Sequence, residues 1–87
     1  MKAFLKIQST PDDKTPVISE TTTPGECMQK LVKNLKAMRQ KGMDLDLVRA
    51  QIILEDENRT VMGEFVRGLY YARGSKQGLK LLVERAA

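Results

Sequence analysis

The chain contains no histidine and no tryptophan, a single cysteine, and two phenylalanines and two tyrosines in 87 residues. The lack of histidine removes Ser-His-Asp chemistry, imidazole general bases and imidazole metal ligands at one stroke. The one cysteine, Cys27, can form no internal disulfide and cannot supply the ligand set of a tetrahedral zinc site. It suits a reducing compartment, so a cytoplasmic protein is expected. Neither GxGxxG nor GxxxxGK[ST] occurs, which leaves no fingerprint for a dinucleotide or a nucleoside triphosphate. No apolar run approaches the roughly 20 residues that a bilayer span requires. Lys6 interrupts what would be the apolar core of a secretory signal, so neither a membrane partner nor a signal is expected.

What is present is ordinary for a globular protein: 41% hydrophobic and 30% charged residues. The length predicts a single small domain over 1–87, with a thin core burying about 60% of the unfolded chain's surface.

"KAFLKIQST" sets Phe4 and Lys6 against Leu5 and Ile7, the alternation of a strand. The turn formers "PDDKTP" follow, and "VISETTT" is β-branched, so the two segments read as a hairpin with a longer loop. "TPGE" opens a helix by rule: Thr23 as the cap, Pro24 at the first helical position, Glu26 at the capping-box position. Cys27, Met28, Leu31, Val32, Leu35 and Met38 then recur at three- and four-residue steps, and Gly42 stops the run. The first helix is therefore expected over about 24–41.

"LVRAQIILE", 47–55, reads as a central strand. Beyond "EDEN", the residues Val61, Met62, Phe65, Val66, Leu69 and Tyr70 fit helical spacing, whereas strand alternation would put Arg67 on the apolar face. A second helix over 59–73 is predicted, with Asn58 as its cap and Gly74 as its stop. Gly63 and Gly68 would each cost that helix about 1 kcal/mol. A long β-hairpin through "EDEN" is the competing reading. "GLKLLVER", 78–85, is a fourth strand or a short helix, and the isolating Gly74 and Gly78 favour the strand. The expected fold is an α+β two-layer sandwich, β-β-α-β-α-β, with two helices on one face of a mainly antiparallel sheet.

The formal net charge of +4 is blocky. Residues 24–41 carry five cations against Glu26, residues 42–58 carry Arg49 against five carboxylates, and residues 59–87 carry six cations against Glu64 and Glu84. In "KLVKNLKAMRQK" the helical wheel places Lys30, Lys33, Lys36 and Lys41 opposite the Leu31–Leu35 stripe, with Arg39 nearer its edge. Such a comb is either the wet face of a helix, paired to the acidic block, or a contact for backbone phosphates without base readout. A second candidate is "RGLYYARGSKQGLK", where Arg67, Arg73, Lys76 and Lys80 surround Tyr71, the combination of cation and aromatic that holds single strands. Its "GSKQG" loop offers backbone N–H groups to an anion.

The carboxylates Asp44, Asp46, Glu55, Asp56 and Glu57 match no EF-hand spacing and are expected to begin a strand or complement a helix end rather than hold a metal. Cys27 lies on the buried stripe without a histidine partner and reads as a core residue. No cofactor and no catalytic residue is expected. The pattern points to a small non-enzymatic binding protein whose partner is the DNA or RNA backbone. The alternative is a protein-interaction module that uses the open sheet face or a strand edge for an acidic partner or a second copy of itself.

Overall fold

The computed structural model describes residues 2–81, which form one α-helix and a five-stranded antiparallel sheet. The strands are β1 (Ala3–Gln8), β2 (Val17–Thr21), β3 (Arg49–Leu54), β4 (Val61–Val66) and β5 (Leu69–Ala72), in the spatial order β2-β1-β3-β4-β5. The helix, α1 (Pro24–Gln40), lies across β1, β2 and β3 on one face of the sheet.

Strand parity decides what each face carries. In β1, Ala3, Leu5 and Ile7 are buried under α1, while Phe4, Lys6 and Gln8 point to the other side. Ile52 and Ala50 stand opposite Leu5 and Ile7 and extend the core into β3; Phe65 continues it into β4 and Tyr70 into β5. From the helix, Cys27, Leu31 and Leu35 complete this core. Cys27 is fully buried, as its place on the stripe predicts, and its Sγ lies 2.9 Å from the hydroxyl of Thr21.

The ends of α1 follow the sequence signals. Thr23 Oγ1 accepts from the amide of Glu26 at 3.3 Å, and Pro24 stands at the first helical position. At the other end the amide of Met43 donates to the carbonyl of Met38 and that of Gly42 to Arg39, a Schellman closure. A 3₁₀ turn over Leu45–Leu47 then leads into β3, the central strand, as expected for this segment.

The second helix predicted over 59–73 is a β-hairpin instead, so the order is β-β-α-β-β-β and one helix covers the sheet. The turn explains the misreading. Arg67, the residue that weighed against alternation, sits in the turn between β4 and β5 and belongs to neither face. Arg67 and Gly68 both take positive φ, +52° and +81°, the conformation of a tight hairpin turn whose twist matches the strands. The preceding turn through 55–60 is built on Asp56, whose carboxylate accepts from the amides of Asn58 and Thr60 and from the Thr60 hydroxyl at 2.8 Å. Of the segment 78–85, Leu79 makes a single antiparallel bridge to Tyr70, and residues 82–85 lie outside the described residues.

Candidate nucleic-acid interface

On α1 the rotation of about 100° per residue sets Lys33 and Lys36 on the crest, opposite the buried stripe. Lys30 falls on one flank and Arg39 on the other, and Lys41 closes the C-terminal end. All five are exposed. Lys30, Lys33, Lys36 and Lys41 make no ion pair with a described carboxylate; the acidic block of 42–58 does not answer them. That block is divided between the two ends of the sheet. Asp44 accepts from the amide of Asp46 at the entry to β3, and Asp46 lies beside Gly68 of the β4–β5 turn. Glu55, Asp56 and Glu57 sit in the turn at the opposite end. Among the described residues no group of three or more carboxylates or thiols is placed to hold a metal ion.

The second sequence candidate is dispersed by the hairpin. Arg67 occupies the β4–β5 turn, Tyr71 points to the sheet face away from α1, and Arg73 follows β5 with its amide on the carbonyl of Met62. Lys76 is in the loop beyond, and Lys80 follows the Leu79 bridge. Tyr71 and Arg73 come together, lining one shallow apolar depression with Val61 and Val66. They do not share a face with the lysines of α1. The "GSKQG" loop spends two of its amides internally, Ser75 on the carbonyl of Ala72 and Gln77 on the Ser75 hydroxyl.

The open face of the sheet carries residues that the charge pattern did not single out. Cross-strand pairing puts Ile18, Lys6, Gln51, Glu64 and Tyr71 in one row, and Glu20, Phe4, Ile53 and Val61 in the next. Gln8 and Arg49 form a pair beyond Lys6, and a polar hollow is lined by Lys6, Gln8, Arg49, Gln51 and Glu64. The alternation of Phe4 and Lys6 with Leu5 and Ile7 was the available signal for this face. Its extension across the sheet needed the strand register.

Two carboxylates are tuned by turns rather than by a site. The Thr15 amide above all, then that of Ser9, holds the Asp13 carboxyl below its ordinary value of 3.8; the Thr60 hydroxyl and amide do the same for Asp56. In the unfolded chain both groups protonate near the ordinary value. The ionised forms therefore favour the folded state above that value, and the contribution is lost as pH falls below it through the lower folded values. Asp56→Asn is expected to lose less stability than the wild type between about pH 5 and about pH 3 in urea titrations. Equal losses in both proteins would remove Asp56 from the acid response. The Tyr70 phenol moves the other way, raised first by burial and then by Cys27.

No protein-family model, curated protein or solved structure matches the chain. The functional reading therefore rests on the arrangement of these side chains. Among the described residues, no helix is long and apolar enough to cross a membrane.

Proposed function

We propose that the protein is a small non-enzymatic, nucleic-acid-associating protein of a reducing compartment, the cytoplasm, and that α1 contacts backbone phosphates with little sequence specificity. The observation that carries this reading is the comb: Lys30, Lys33, Lys36 and Lys41 stand exposed with no described carboxylate within ion-pair distance. Lysines so placed act as point charges toward phosphate, and displacement of condensed counterions drives the association.

The test is an electrophoretic or anisotropy titration on unrelated DNA and RNA sequences at two salt concentrations. Lys30→Gln, Lys33→Gln and Lys36→Gln are each expected to weaken binding to a similar extent on every sequence. Each should flatten the slope of log affinity against log salt by about 0.7–0.9. Melting temperature should barely move, since surface changes of this kind stay within about 0.5 kcal/mol. A triple variant that binds as the wild type does would leave the comb as a solvated face.

A specific observation favours the second reading, a protein-interaction module. Val17 and Ile18 are 62% and 63% exposed on β2, an edge strand with no lysine or proline inside it to discourage pairing. A triple lysine change that abolishes a protein complex, in a protein that binds no nucleic acid, would select this reading and make the lysines a steering patch for an acidic partner.

A further inference from the structure

We infer that the open face of the sheet is a second binding surface, separate from the lysine comb, and that it takes single-stranded nucleic acid. The inference rests on the nucleic-acid reading above and adds to it the strandedness of the ligand and the residues that recognise it.

The chain has four aromatic residues, and the fold divides them evenly. Phe65 and Tyr70 are buried beneath the helix layer, whereas Phe4 and Tyr71 stand on the opposite face, where no described residue is buried. Both rings are half-buried, and that of Tyr71 rests against Gly78 beside the Leu79 bridge; the aromatic surface each leaves open offers a π-face on which a base stacks. Among the described residues, Lys6, Arg49 and Arg73 supply positive charge to this face besides Lys2. Lys6 lies in the Tyr71 row and Arg49 one row further from Phe4, so the positive charge flanks the path between the two rings, which itself crosses Ile53, Gln51 and Glu64. Gln8 and Gln51 add amide groups to the polar hollow at Lys6. Of the carboxylates, Glu20 is held by Lys2 at 3.3 Å, and Glu64 is without an ion pair to a described residue.

Geometry selects a single strand. Phe4 is on β1 and Tyr71 on β5, three strand spacings and two residues apart, which is about 16 Å on a flat lattice. Stacked bases rise about 3.4 Å per step, so the two rings cannot clamp one base and instead engage bases several nucleotides apart. A duplex keeps its π-faces inside the stack and has nothing to offer either ring. A strand with splayed bases can reach both rings while its phosphates run along the Lys6 side of the path, with Arg49 beyond.

The experiment is fluorescence anisotropy with a labelled pyrimidine-rich single strand of about 8 nucleotides, as RNA and as DNA, beside a hairpin duplex, on the full chain. Phe4→Ala and Tyr71→Ala are each expected to weaken single-strand binding by about 5- to 100-fold while leaving the duplex affinity unchanged. Phe4→Leu and Tyr71→Leu keep apolar cover on the sheet and remove the aromatic face; they should show the same selective loss even where an alanine variant is poorly folded. Glu64→Gln should tighten the single strand by about two- to five-fold through loss of repulsion. Leucine variants that bind the single strand like the wild type would overturn the inference. If, in addition, the triple lysine variant loses both ligands, the comb reading stands alone. Binding of neither nucleic acid by the wild type would overturn both readings together.

Discussion

Replacing Gly63 with alanine is expected to destabilise the fold by about 3 kcal/mol, near the upper end for overpacking a core. The cause is a single close approach. Gly63 faces the helix side of β4, and the Tyr70 ring of the neighbouring strand lies directly over its Cα. A Cβ there would penetrate the Tyr70 Oη and Cζ, with Cε1 at 2.9 Å. The ring cannot swing clear without leaving the core, where Tyr70 is 8% exposed. For a domain of this size the loss is a fall in Tm of more than about 10 °C. The decisive measurement is a double-mutant cycle with Tyr70→Leu, which removes the ring. The two changes together should cost clearly less than the sum of the separate effects, by about 1 kcal/mol or more. Additive costs would show that the ring does not rest on Gly63.

Phe65→Ala should cost about 3–5 kcal/mol, and Val66→Ala only about 1 kcal/mol. The pair is chosen because the two architectures disagree about it. On a helix over 59–73, Phe65 and Val66 share the apolar stripe and both face the core. In the hairpin, consecutive residues of β4 point to opposite faces. Phe65 is 1% exposed, between Ala50 and Tyr70, while Val66 is half-buried on the open face. Urea midpoints measure both variants at unchanged m-value. Similar costs at the two positions would restore the helix, as would helical secondary chemical shifts through 61–72.

The first helix was legible in the sequence because several independent signals coincide there: a cap at Thr23, Pro24 at the first position, the stripe from Cys27 to Leu35, and a stop at Gly42. The strands β1 and β3 were legible for the same kind of reason. The hairpin of β4 and β5 was not, because a two-residue turn resets the parity of a strand. Phe65 and Tyr70 are five residues apart and would fall on opposite faces of one continuous strand, yet they pair across the turn on one face. Helical spacing then accommodates a pattern that belongs to two short strands. Gly63 and Gly68 were the discordant residues, each a cost to a helix and each with a task in the hairpin. The candidate site shared this fate. Exposure of the comb followed from the wheel of a helix correctly placed. The position of Tyr71 on the far side of the sheet depends on where the β4–β5 turn falls, and with it the association of Tyr71 with Phe4, 67 positions earlier in the chain.

The strand order has a consequence in time. Three of the four ladders join strands consecutive in the chain; the fourth, between β1 and β3, closes across β2 and the whole of α1. Its nearest partners, Gln8 and Arg49, are separated by roughly forty residues, and closing that loop is the costly step of assembly. During synthesis at about 5–20 residues per second, β1 therefore waits roughly 2–8 seconds for β3 to begin, and the finished helix about 1–3 seconds for β3 to be complete. Until then β1 holds one partner instead of two, and the underside of α1 has half a sheet to rest on.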